Sequence, residues 1–391
     1  MLQRPNYILP LIVISQFAGT SLWFAGNAVL PDLQQQFNLG QSALGNITSA
    51  VQLGFISGTL LFAIFSIADR FSPSRVFFIS SLLAALSNLL LITLAKDSFS
   101  IISLRFITGF FLAGIYPVGM KIAADWYEKG LGKALGWLVG ALVLGTALPY
   151  LLKGISLHFS WQYIIGFTSA FAAIGGLLIF LFVKDGPYRK QGQAFHPKNS
   201  IHVFRSPGFR SAAFGYFGHM WELYTFWAFV PVLLSLNSAA THEPINISLW
   251  SFIIIGSGFL SCIAGGYLAR EKSSAKVAFG SLLISGCCCL LSFFLLHTSA
   301  MIFIPFMIIW GLTVVSDSPQ FSAMVAQTAA PASKGTALTI VTCIGFSITV
   351  LSIQLINYLF HHMAQAGKTF LWLGIGPVLG LLFLYHLVKK K

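Results

Sequence analysis

Apolar runs of about twenty residues, the length that crosses a bilayer core, alternate along this chain with short polar connectors. Twelve can be read: near 8–30, 43–68, 76–95, 101–124, 134–156 and 162–183, then near 211–235, 248–268, 277–297, 300–327, 336–358 and 369–388. They use essentially the whole chain, so no separate soluble domain is expected. The first run, through Leu11 to Val29, lacks a small-residue cleavage pattern and reads as a span, not as a signal peptide. One long polar stretch, Lys184 to Arg210, carries Pro187, Pro197 and Pro207, which oppose a continuous helix. It divides the chain into an N-terminal six-helix bundle (1–183), an interdomain linker (184–210) and a C-terminal six-helix bundle (211–391).

The halves repeat. Ile67–Ser72 before span three matches Leu268–Ser273 before span nine, 201 positions on, and Gly109 and Pro117 match Gly311 and Pro319 at 202. Pro31 and Pro231, expected to end spans one and seven, lie 200 apart, and Gly132–Leu135 matches Gly335–Leu338 at 203. Four matches at nearly one offset indicate duplicated bundles. Parallel halves with a site between them is a transporter plan.

Composition agrees with a membrane chain: 8% of residues are charged, against roughly 25% in a soluble domain. The net charge of +13 would suggest nucleic acid in a soluble protein. Here eighteen of the twenty-three Lys and Arg fall in the termini, the linker and alternate loops, with Lys96, Lys153 and Lys368 on the other side. The positive-inside rule explains that pattern without a nucleic-acid partner and puts both termini in the cytoplasm, the chain being expected in the cell inner membrane. Cys262, Cys287, Cys288, Cys289 and Cys343 all lie in apolar spans. Three adjacent cysteines on a helix point three ways and do not chelate one ion, so they read as small buried hydrophobes.

An ionisable side chain at bilayer depth is costly and usually faces a working interior. Glu222 lies about 16 Å into span seven at ~1.5 Å per residue, near midplane. A lone buried carboxyl there can take up and release a proton, and His219 at i−3 shares its face and could share the proton. A structural hydrogen bond or a permanent ion pair is the alternative. Asp317 sits among Thr313, Ser316, Ser318 and Gln320, where Pro319 frees a backbone carbonyl. It reads as a substrate or coupling group, or as part of a packing network. Arg105 is open to three roles: snorkelling to the surface, binding an anionic substrate, or regulating the proton site. Lys121, nearer the cytoplasmic end, reads first as a snorkelling residue. Trp23, Asn27, Gln52, Tyr116, Tyr224 and Gln320 are candidate cavity liners. The spacing Gly54-x-x-x-Gly58 reads as helix packing.

The loop Ala68-Asp69-Arg70-Phe71-Ser72-Pro73-Ser74-Arg75, together with Arg105, Gly109 and Gly114 of span four, resembles the major facilitator superfamily, and the resemblance covers the whole chain. It departs where Ser72 replaces the usual glycine, where the basic pair is reduced to Arg75, and where span five, with Gly136, Gly140, Gly145 and Pro149, lacks the antiporter Gly-Pro pair. The resemblance implies an all-α integral membrane fold of twelve transmembrane helices in two pseudo-symmetric bundles that rock about a central site. It implies a gating role for Asp69, Arg70 and Arg75, with Asp69 near the N-terminus of span eleven, where the helix dipole favours a carboxylate. A cap that only orders its own loop is the bland reading of Asp69.

No phosphate loop, nucleotide-binding domain or His-Glu-x-x-His site is readable, so neither an enzyme nor an ATP-driven pump is expected, and no cofactor or metal. The chain reads as a monomeric, proton-coupled secondary transporter of a small polar or anionic solute, with protons, solute and membrane lipids as its partners. A drug or metabolite efflux antiporter, and a lipid flippase or sensor on the same scaffold, are the alternatives.

Overall fold

The computed structural model describes residues 5–127, 131–155, 160–189, 202–329 and 334–389. Arg4, Lys129, Lys190, Lys198 and Lys390–Lys391 of the basic set, and the linker centre, lie outside the described residues. Among those described there is helix and no strand. Eleven helices are long and apolar enough to cross a membrane. These are span two (Ala43–Ile64), three (Pro73–Leu94), four (Ser98–Trp126), five (Leu131–Ile155), six (Trp161–Phe182), seven (Pro207–Thr241), eight (Ile247–Lys272), nine (Ser274–Leu295), ten (Ala300–Thr328), eleven (Lys334–His362) and twelve (Ala366–Lys389). Span one is the twelfth. The outer faces of spans three, nine and twelve carry exposed apolar side chains such as Leu86, Leu290 and Leu382, a surface suited to lipid and not to water.

Span one is not continuous through residue 30, as its apolar run suggests. It is Ile8–Thr20, then a tight turn, then Ala25–Ala28 and Leu30–Phe37. The hydroxyls of Thr20 and Ser21 donate back to the carbonyls of Gln16 (2.8 Å) and Ala18 (2.7 Å), a pattern that bends helices. Main-chain bonds then shorten to i−3, Trp23 N to Thr20 O at 3.0 Å. Span seven differs the other way: Pro231 does not end it, and the helix runs on to Thr241. Spans four and ten each break in mid-membrane, at Ala113–Ile115 and at Asp317, with Pro117 and Pro319 in the first turn of the second piece. Proline fits there because its missing N–H is unpaired in any case.

The repeat is visible in packing. Span four crosses span two so closely that a Cβ on Gly109 would lie 2.1 Å from the Val51 carbonyl oxygen, and one on Gly54 2.0 Å from that of Phe106. In the second half a Cβ on Gly311 would lie 2.1 Å from the Ile254 oxygen. The same helix pair, four on two and ten on eight, is thus built twice. Between the halves, span five packs along span eight and span two along span eleven. Among the described residues, side-chain hydrogen bonds join the halves at the end that carries Asp97. Gln354 donates to Ser49 (2.9 Å) and Asn46 (3.4 Å), and Asn246 to the Gly154 carbonyl (3.0 Å). Near the other end spans five and eight stay in contact through Trp137 and Phe259, ring centroids 5.8 Å apart.

Candidate functional site

Two buried polar nodes, one in each half, flank an aromatic layer between them. In the N-terminal half the node is Arg105, with none of its surface exposed. One terminal nitrogen donates to the carbonyls of Leu22 (2.8 Å) and Trp23 (2.7 Å), the other to Asn88 Oδ1 (2.8 Å). Asn88 in turn donates to Ser169 (3.0 Å) and Thr168 (3.3 Å) on span six. The break in span one leaves those two carbonyls without helical donors, and the guanidinium supplies them. Arg105 therefore does not snorkel; it holds the break closed from span four.

In the C-terminal half the node is Glu222, 1% exposed. Trp310 Nε1 donates to its Oε1 at 2.6 Å and the Cys289 thiol to the same oxygen at 3.3 Å, while the Ser285 hydroxyl donates to Oε2 at 2.9 Å. Among the described residues no Lys or Arg pairs with it. His219 does not share with Glu222. Its Nδ1 lies 2.9 Å from Asp317 Oδ1 across to span ten, both side chains 1% exposed, and its ring packs on Phe321 and Tyr216. The one-turn spacing on span seven is therefore overridden by a partner on another helix. His219 Nε2 and Asp317 Oδ2 are buried with no hydrogen-bond partner among the described residues.

The nodes are related by the repeat. Leu22 and Glu222 stand 200 positions apart and Asn88 and Cys289 201 apart, on spans one and seven, three and nine. Where the first half offers carbonyls of a broken helix, the second keeps span seven intact and offers a carboxyl.

Between the nodes, Trp23 stacks on Phe346 (5.8 Å) and packs tilted against Tyr224 (5.6 Å), and Phe55 packs against both Trp23 (4.9 Å) and Phe346 (4.5 Å), ring centroid to ring centroid. Spans one, two, seven and eleven all contribute, so the layer bridges both halves. Buried atoms near it have no hydrogen-bond partner among the described residues: Trp23 Nε1, Trp227 Nε1, both amide atoms of Gln52, and Asn27 Oδ1. Asn27 Nδ2 donates to Thr48 at 2.7 Å. Tyr116 is half-buried at the start of the second helix of span four. Gln320 is buried just past the break in span ten.

The gating candidates sit apart, at the end opposite Asp97. Asp69 pairs with Lys121 of its own half at 2.5 Å, which gives Lys121 a fixed partner in place of snorkelling; Arg70 and Arg75 are exposed. The first residues of the linker strap this loop. Arg189 pairs with Asp185 and donates to the carbonyls of Phe71 (2.9 Å) and Asp69 (3.2 Å), and Ser72 donates to Asp185 at 2.6 Å.

Sequence reasoning missed Trp310, Ser285, Cys289 and Asn88. The repeat offset was the signal that could have paired the last two.

The sequence profile of the Major Facilitator Superfamily matches residues 12–353. The uncharacterised transporter YgaY of Escherichia coli K12 is 26% identical over 336 residues, 80% of this chain and 79% of that one. A nitrite extrusion protein of Bacillus subtilis is 25% identical over 299 residues, 73% of this chain and 71% of its own. The crystal structure of the human organic anion transporter MFSD10 superposes with a TM-score of 0.78 at 14% identity, covering 98% of this chain and 100% of that one. The chain belongs to the Major Facilitator Superfamily and is a transporter.

Proposed function

We propose that this transporter moves a small polar or anionic solute by alternating access, with Glu222 coupling the movement to protons. The setting of Glu222 carries the reading: a buried carboxyl, hydrogen-bonded by three neutral donors, with no Lys or Arg paired to it among the described residues. Such a group is costly in a membrane, and proton movement accounts for its presence. The His219–Asp317 pair is a second buried group of ionisable side chains in the same half.

For the solute, the indole N–H groups of Trp23 and Trp227 and the amide of Gln52 are buried neutral donors with no acceptor among the described residues. Arg105, already committed to span one, acts on the solute only through the shape it gives that span. The names of two similar proteins, the nitrite extrusion protein and the organic anion transporter, support an anion. The four packed aromatic rings favour a second reading, export of an aromatic compound. A thermal-shift panel of metabolites separates the two, since a ligand that binds the native state raises its apparent stability. Stabilisation by small anions or polar metabolites is expected; stabilisation by aromatic drugs alone would overturn the first reading.

The Asp97 end, where Gln354 and Asn246 tie the halves, is assigned to the outside, and the Asp69 end to the cytoplasm, in the cytoplasmic membrane. Reporters fused after Lys391 and within 184–210 should both read cytoplasm; an outside signal from either overturns the twelve-span topology with both termini in the cytoplasm. In a transport cycle Asp69 is the candidate latch. Asp69→Asn should slow turnover several-fold in reconstituted vesicles with solute affinity retained, and wild-type turnover would reject the latch.

A further inference from the structure

The two oxygens of Glu222 are unlike. Oε1 receives the indole N–H of Trp310 and the thiol of Cys289. An indole nitrogen only donates, so Oε1 is held as an acceptor and a proton arriving on the carboxyl goes to Oε2. Oε2 faces the Ser285 hydroxyl at 2.9 Å, and that hydroxyl has another acceptor, the Leu282 carbonyl one turn back on span nine, at 3.3 Å.

A hydroxyl donates one hydrogen, accepts others and rotates, so two complete arrangements exist. With Glu222 charged, Ser285 donates to Oε2. With a proton on Oε2, the carboxyl donates to Ser285 Oγ, and Ser285 turns its own hydrogen to Leu282. No polar atom of the group is left unpaired in either, where burial makes an unmade bond expensive.

The other half offers a control. The position 201 before Ser285 is Ala84, in the node whose guanidinium stays charged and has no second state to serve. The other titratable groups around Glu222 are Cys288 and Cys289 of span nine and Asp317 of span ten, which faces His219 of span seven. Cys289 bonds Oε1; the Ser285 hydroxyl is the donor bonded to Oε2 among the described residues.

Resting on the reading of Glu222 as the coupling group, we propose that Ser285 is its positioning residue, a hydroxyl rotor that keeps the carboxyl fully hydrogen-bonded with and without its proton.

The test needs no solute. Infrared difference spectra of the purified full chain between acid and alkaline buffer should contain a protonated-carboxyl C=O band that Glu222→Gln removes. In Ser285→Ala the acid hydrogen loses its acceptor, and the band moves to higher frequency. Ser285→Thr keeps a hydroxyl there and holds the wild-type position. An unmoved band in Ser285→Ala, or a Thr variant that shifts as far as Ala, overturns the rotor while leaving the coupling role of Glu222 standing. If Glu222→Gln removes no band, Glu222 does not change protonation, and both the coupling reading and the rotor fail.

Discussion

Glu222→Gln should abolish solute accumulation driven by an imposed pH gradient in proteoliposomes, while solute-for-solute exchange stays near wild type. The amide copies the protonated carboxyl. Its oxygen can still accept from Trp310 and Cys289, and its nitrogen can donate to Ser285 Oγ, so each neighbour that bonds the native carboxyl keeps a partner. The fold is therefore expected to survive, and what disappears is the ability to release a proton. Loss of both exchange and accumulation would point to a broken site instead of an uncoupled one. If the Gln variant still concentrates solute as wild type does, Glu222 is not the coupling group. Asp317→Asn, which changes the His219 pair on the neighbouring helix, would then be the variant to lose accumulation.

The architecture was legible because it is written in features that survive without tertiary knowledge. Apolar runs of bilayer length mark the spans, and offsets near 201 mark the repeat, down to Gly109 and Gly311, which the structure places in equivalent backbone crossings. Glu222 and Asp317 stood out because a carboxyl in an apolar run is conspicuous. Their partners did not. Trp310, Ser285 and Cys289 reach Glu222 from helices 63 to 88 positions away, and single-sequence spacing speaks only to neighbours on one helix, which is why spacing alone groups His219 with Glu222. The departure at Ser72 is explained by the structure. Its φ of −59° needs no glycine, and its hydroxyl reaches linker Asp185. The break in span one was hidden for a different reason. Thr20 and Ser21 are ordinary residues in a membrane helix, and only the bonds they make back along the chain, with a guanidinium waiting for the freed carbonyls, turn them into a bend.

That dependence gives Arg105→Lys the second large effect. Lysine keeps the charge, and with it the cost of burying a charge at this depth, but loses the planar fork. One nitrogen of Arg105 serves Leu22 and Trp23 while the other serves Asn88. A single ammonium on a shorter stem cannot hold all three corners. Each buried acceptor left without a donor costs about 1–3 kcal/mol. With at least one and up to two abandoned, the variant should unfold at a clearly lower temperature even without solute. Asn88→Ala should lose part of the same stability, and the two changes should not add, because they remove one shared contact. Solute affinity should fall too, since Trp23 lies at the break and packs on Tyr224 and Phe346. A residue that gripped the solute directly would behave differently: the lysine variant would bind weakly while melting as wild type does. Thermal unfolding of the solute-free protein therefore separates the two roles, and an unchanged melting temperature would return Arg105 to the solute site.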